Sequence, residues 1–248
     1  MKWRVAWVST WLFAANASGA SAESSGWIGR VAIVAGFMGL EGYTTHGTVG
    51  TGEPIPDGPL AGAPDGLLQR TRGDDVTASV ELGLGRNIGV WLVSLGYQYR
   101  YRTDLDVLAY TEGLGRPSQF HNDIETQVLD VNLVRRFRYF GTWGLRPYVG
   151  VGVGVVSNRS DSEFVVRELG VSIPEFRTAH VRTTRSVNWN AHVGVTKSFG
   201  KRWDVELRYR YAVLGTVENG PYPGAHAYIE TEDGMHSHDV LLGTIYRF

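Results

Sequence analysis

Residues able to do chemistry occur in this chain in two patterns. The first is local. His236, Ser237, His238 and Asp239 are contiguous and supply the residue types of a nucleophilic triad, while Asp104 and Asp106 form an isolated pair of carboxylates. The segment 216–237 holds Glu218, Glu230, Glu232 and Asp233 with His226 and His236 and no Lys or Arg. Carboxylates and imidazoles in such a segment suit a divalent cation, and a solvated acidic loop has the same composition. Triad chemistry depends on spatial roles that adjacency does not establish, and no ligand spacing here matches a defined site. The local pattern therefore predicts no catalytic residue, no metal site and no cofactor.

The second pattern is distributed and has a period of two. Over residues 90–102 the odd positions read Trp91, Val93, Leu95, Tyr97, Tyr99 and Tyr101, and the even ones Leu92, Ser94, Gly96, Gln98, Arg100 and Arg102. Over 203–213, Trp203, Val205, Leu207, Tyr209, Tyr211 and Val213 oppose Asp204, Glu206, Arg208, Arg210 and Ala212. Such alternation gives a strand one apolar face and one polar face. Runs of ten or more residues exceed the ~5 to 6 of an average soluble strand and match the ~9 to 11 that a tilted strand needs to cross a bilayer.

The elements that must position these residues follow from the rest of the chain. It has 248 residues, a formal charge of −1, no cysteine and 32 glycines. Disulfides, thiolate metal sites and cysteine nucleophiles are excluded, and there is no basic excess to attract nucleic acid. Lys2 and Arg4, an apolar run over 5–15 and the small residues Ala20-Ser21-Ala22 form a secretory signal. The expected organisation is a cleaved signal peptide, 1–22, and a single domain, 23–248.

Eight alternating segments are expected, near 27–42, 75–86, 89–103, 124–139, 145–157, 185–199, 203–215 and 238–248. Three connections are tight. Four, near 43–74, 104–123, 158–184 and 216–237, are long, although 171–182 alternates weakly. The first long segment contains Pro54, Pro56, Pro59 and Pro64 among Gly and Asp, which disfavours regular structure. Strict alternation of long and short connections places all loops on one side of a membrane and all turns on the other. In hydrocarbon only a closed sheet satisfies every backbone amide. The predicted fold is thus all-β, an eight-stranded antiparallel transmembrane barrel with three short periplasmic turns and four long extracellular loops. Trp27, Phe137, Tyr139, Trp143, Phe199, Trp203, Tyr246 and Phe248 fall near the turn side, and Tyr99, Tyr101, Trp189 and Tyr211 near the loop side. These sets are the two aromatic girdles of such a barrel.

The run Arg146-Pro147-Tyr148-Val149-Gly150-Val151-Gly152-Val153-Gly154 resembles the fifth strand of small outer-membrane barrels related to the opacity proteins and the OmpA transmembrane domain. Val240, Leu242, Tyr246 and the terminal Phe248 are similar to the C-terminal signal that outer-membrane barrels present to their assembly machinery. Thr244 departs from its apolar pattern. The resemblance implies location in the bacterial outer membrane, with outer-membrane lipids, lipopolysaccharide and the barrel-assembly machinery as partners. A surface ligand of the loops is left unnamed. With Phe248 as the last residue, no cell-wall-anchoring role is expected.

Inward positions carry Arg30, Glu81, Arg100, Arg102, Asp130, Arg136, Arg146, Asp204, Glu206, Arg208, Arg210, Asp239 and Arg247. Eight strands leave a lumen just wide enough for side chains to fill, and buried charges persist there only if paired. The expected arrangement is an ion-pair network plugging the barrel. Gly83, Gly85, Gly150, Gly152 and Gly154 would leave room for arginine chains from the facing wall. The Gly-x-Gly-x-Gly run has no helix after it and is not read as a phosphate loop. The expected role is non-enzymatic, structural or interactive through the loops. A narrow channel is the alternative, and a lipid A-modifying enzyme a more distant one. No His-x-Ser pair suits a lipid A deacylase, and no Asp-x-His suits an omptin-type protease.

Overall fold

The computed structural model describes residues 26–49, 74–111, 116–140, 143–166, 176–223 and 227–248. The proposed signal peptide, 1–22, and the proline-bearing segment 50–73 lie outside the described residues. Eight strands follow one another: β1 Trp27–Val49, β2 Asp74–Ile88, β3 Trp91–Thr111, β4 Arg116–Arg136, β5 Leu145–Val166, β6 Phe176–Phe199, β7 Trp203–Pro223 and β8 Ala227–Arg247. Each pairs antiparallel with its neighbours, and β1 pairs with β8 to close the barrel. At the seam Phe248 N–H donates to the Trp27 carbonyl at 3.0 Å, so the ends of β1 and β8 meet on the turn side.

Turn chemistry explains the short connections. Gly89, Gly144 and Gly200 have φ of +59°, +63° and +71°, conformations that L side chains rarely adopt and that reverse a strand in few residues. On the opposite side, three of the four connections expected as long loops are largely strand. Strands β3 to β8 run well past the bilayer, so most of 104–123, 158–184 and 216–237 is strand. Of the weakly alternating 171–182, residues 176–182 belong to β6. Polar residues on both faces masked the rest, because a strand in water needs no apolar outer face.

The outer wall is apolar across the middle of the barrel. Leu82, Leu84, Leu95, Leu129, Val151, Val193, Leu207 and Leu242 all stand exposed on it. Trp27, Trp91, Trp143, Trp203 and Phe248 ring its turn-side edge, with Trp203 and Tyr246 ring centroids 4.8 Å apart. On the other edge Tyr99 meets Tyr101 at 5.4 Å and Trp189 meets Tyr211 at 5.7 Å. From Trp91 to Tyr99, and from Trp203 to Tyr211, the sequence advances eight positions, the depth of a hydrocarbon core crossed by a tilted strand. An apolar belt between aromatic rims on a closed sheet is a surface for lipid rather than water. The molecule is a transmembrane barrel of the outer-membrane type.

Candidate functional site

Period-two alternation sends every second side chain into the lumen, and the buried set there is largely polar. Glu81 on β2 is its first centre. Arg30 on β1 pairs with it, Arg208 Nη2 donates to Oε1 at 2.7 Å and Arg210 Nη1 to Oε2 at 2.9 Å. Asp239 on β8 is the second. Arg100 on β3 grips it with two guanidinium nitrogens at 3.0 and 2.6 Å, and Arg210 reaches it through Nε at 3.0 Å and Nη2 at 2.8 Å. Arg210 therefore bridges the two carboxylates. Its Nη2 also donates to Gln98 at 2.5 Å, and Gln98 passes the chain to Ser79 at 2.7 Å. Arg100 further donates to Ser237 at 3.0 Å.

Toward the turn side, the Tyr148 hydroxyl donates to Glu206 at 2.5 Å. Asp130 accepts from Asn132 at 2.7 Å and Asn190 at 3.1 Å, and Asn190 contacts His192 at 3.0 Å. The central charges balance. Arg30, Arg100, Arg208 and Arg210 face Glu81, Asp130, Glu206 and Asp239, all buried. Arg100 and Arg208 are 0% and 1% exposed. An apolar layer bounds this polar one toward the turns, and apolar and polar residues mix on its other side. Ile28, Leu92, Val134, Tyr148 and Ile245 cluster at the turn side, while Met38, Ile124, Val156, Leu214 and Met235 are buried toward the other.

The remaining inward candidates fall elsewhere. Arg247 pairs with Asp204 and donates to Ser198 at 2.8 Å near the turn-side mouth. Arg136 donates to Asn87 at 2.7 Å, and Arg146 donates to the Phe137 carbonyl at 3.0 Å, both at the rim. Arg102 is a correction. The β3–β4 register slips between Arg100 and Thr103, a bulge that inserts one extra residue and turns Arg102 outward. There it lies 3.5 Å from Asp123, its side chain 58% exposed. Eight arginines against five acids in the alternation thus resolve into four against four at the centre.

The glycines are also corrected. A Cβ at Gly83 would meet Arg30, but the β5 glycines do not make way for arginines. Gly150 accommodates His192, Gly152 accommodates Asn132 and Asn190, and a Cβ at Gly154 would strike the backbone of Leu129 and Asp130. Tyr148, His192, Gln98 and the asparagines join the network without having been singled out. Their signal was phase alone, since each shares the inward parity of a charged neighbour on its strand.

The His236-Ser237-His238-Asp239 run is divided by the strand period. Ser237 and Asp239 bind Arg100 inside. His238 and His236 lie outside against Tyr211, with centroids 5.1 and 6.3 Å away, and His238 contacts the Tyr209 hydroxyl at 2.7 Å. Residues split between lumen and outer wall cannot share a proton relay. Among the described residues no three His, Asp or Glu side chains are placed to hold a metal ion. The Glu230, Glu232 and Asp233 side chains and His226 lie outside the described residues.

No family model matches the chain, and no curated protein matches it in sequence. Solved structures do share its outline. The outer membrane protein OprG from Pseudomonas aeruginosa is 15% identical, with 89% of this chain and 96% of that one covered at a TM-score of 0.49. The outer membrane protein AlkL, studied in lipid bilayers, is 16% identical, with 94% of each chain covered at 0.45. The outer membrane protease OmpT from Escherichia coli is 9% identical, with 90% and 97% covered at 0.46. One of these three is a protease, so likeness at this level leaves activity open.

Proposed function

We propose that the protein is a non-enzymatic outer-membrane barrel with a plugged lumen, serving the membrane structurally or through contacts of its outward-standing strand extensions and loops. The observation that carries this reading is the balanced four-to-four charge network, buried and bounded toward the turns by an apolar cluster. Breaking a buried ion pair strands its partner, so such a network resists the opening that steady conduction needs. The long extensions of β3 to β8 provide the surface for interaction.

A narrow aqueous path is the second reading, favoured by a different observation. Arg30 Nε, Arg100 Nε, Arg208 Nε, Glu206 Oε2 and His192 Nε2 are buried without a protein partner, and buried polar atoms of this kind are ordinarily satisfied by water. Planar-bilayer recording of the folded protein separates the two. The plug predicts little steady conductance in the parent protein. Reproducible open channels would sink it and promote the aqueous path, and Arg208→Ala would then alter ion selectivity with little change in stability.

A further inference from the structure

The turn-side rim holds a feature that the plug does not use. Where β4 ends and the chain turns toward β5, a hollow of about 500 Å³ is lined by Arg135, Arg136, Arg138 and Arg146 with Phe137 and Tyr139, and no carboxylate lines it. The rim is held by backbone bonds. Arg136 N–H donates to Val90 at 2.9 Å, Phe137 N–H to Pro147 at 2.9 Å and Phe140 N–H to Leu145 at 2.7 Å.

Aromatic faces hold two of the guanidinium groups. Arg135 lies over the Trp91 and Phe137 rings, 5.7 and 5.8 Å from their centroids, and Arg146 lies over Tyr139 at 5.5 Å. Stacking fixes the plane of the Arg135 guanidinium, so less freedom is lost when an oxyanion binds its edge. Like charges around one hollow repel, and an anion removes that repulsion. The wider surface agrees in sign. Arg86, Lys197, Lys201 and Arg202 stand exposed at the same end, whereas the opposite end of the outer wall mixes Asp104, Asp123, Glu125, Asp161 and Glu163 with Arg102, Arg159 and Arg185.

We propose that this hollow is a binding site for the phosphate headgroup of an anionic glycerophospholipid in the leaflet facing the turns. Arginine forks are matched to phosphate oxygens. The second half of the amphiphile is matched too. Arg135 pairs in register with Val149 and Leu133 with Val151, so an exposed apolar track rises from the hollow into the bilayer. A soluble phosphate would use the arginines and ignore that track. An acyl-chain-bearing phosphate uses both, and the aromatic rim puts the hollow at headgroup depth.

The test is native mass spectrometry of the folded protein, extracted from vesicles containing phosphatidylglycerol and phosphatidylcholine. The parent should retain phosphatidylglycerol in preference. Arg135→Gln with Arg138→Gln should lower its occupancy about tenfold, the scale expected for losing charge-assisted hydrogen bonds. Arg159→Gln, at the far end of the outer wall, should leave it unchanged. Equal retention by parent and double variant would overturn the site. Displacement by inorganic phosphate or glycerol phosphate as readily as by free phosphatidylglycerol would assign it to a free anion and overturn the lipid. Heat-modifiable migration checks folding of each variant. If the double variant does not fold, the single Arg138→Gln variant must shift occupancy in the same direction, because Arg138 is exposed outside any strand; unchanged occupancy there overturns the site.

Discussion

Arg100 shows what one residue does in this lumen. Fully buried, it spends both terminal nitrogens on Asp239 and one of them also on Ser237. Arg100→Ala removes one of the two arginines facing Asp239. Truncating a buried pair costs about 3 to 5 kcal/mol, less where a second partner or water remains, and Arg210 does remain. Glu81→Gln withdraws the negative charge shared by Arg30, Arg208 and Arg210, so its loss should be the larger. Denaturant unfolding in micelles measures both, and Arg100→Ala combined with Asp239→Asn should cost less than the two singles summed. Full additivity would mean that the pair does not act as a unit. Above the bilayer a different residue titrates. Asp123 on β4 faces Asp104 on β3 and Asp161 on β5 in register. Hydrogen bonding with Asp104, then burial, then the Asp104 charge push its carboxyl up to about 6, against the opposing pull of Arg102. Because the raised folded value means the folded state holds the proton more tightly, the stability this group contributes declines as pH rises from about 4 to 6. Carboxyl NMR should place the Asp123 midpoint near 6, and Asp104→Asn should lower it, since an amide donates to the ionised form and carries no charge. An unmoved midpoint would place the cause elsewhere.

At the scale of the element, β5 is the strand with the least tolerance. Its inward glycines pass close under their neighbours, and at Gly154 the obstacle is backbone on β4 rather than a flexible side chain. Gly154→Ala must separate β4 from β5 or bend one of them, whereas Gly150→Ala asks only the His192 ring to move. Folded yield after refolding, read by heat-modifiable migration, should fall sharply for Gly154→Ala and less for Gly150→Ala. Overpacking of this kind costs about 1 to 3 kcal/mol and more where backbone must shift. Equal yields would mean that the β4–β5 spacing is looser than the contacts imply. The bulge in β3 acts on the same scale. One inserted residue sends both Tyr101 and Arg102 to the outer wall and restores Thr103 to the inside.

For the whole molecule, closure is the decisive event, and it occurs between the first and last strands. Phe248 bonds to Trp27 through its backbone and packs its ring against Tyr246 at 5.2 Å and beside Gly29. It also ends the outward series Val240, Leu242 and Tyr246 that resembles an assembly signal. Deleting Phe248 should reduce the heat-modifiable form recovered from membranes. It should affect refolding of the purified chain in detergent much less, because one seam hydrogen bond is worth only about 1 kcal/mol. An unchanged membrane yield would sink the assembly role of that terminus.

Much of this protein was legible before folding was considered. Alternation along 90–102 and 203–213 declares one face for lipid and one for the lumen, because a strand's side chains must alternate. The repeated distance from Trp91 to Tyr99 and from Trp203 to Tyr211 declares the bilayer. Strand ends were less legible, since the apolar signal stops at the headgroups while backbone pairing continues into water. Tertiary structure alone decided which charges meet. Arg210 touches Glu81 and Asp239, 129 and 29 positions away, a partnership set by barrel closure and register that no local pattern encodes. It also decided that Arg102 leaves the lumen, through a bulge with no signature in residue type, and that Arg136 and Arg146 stop at the rim. Parity tells a side chain which side of the wall it is on. Height, curvature and the opposite wall tell it what it touches.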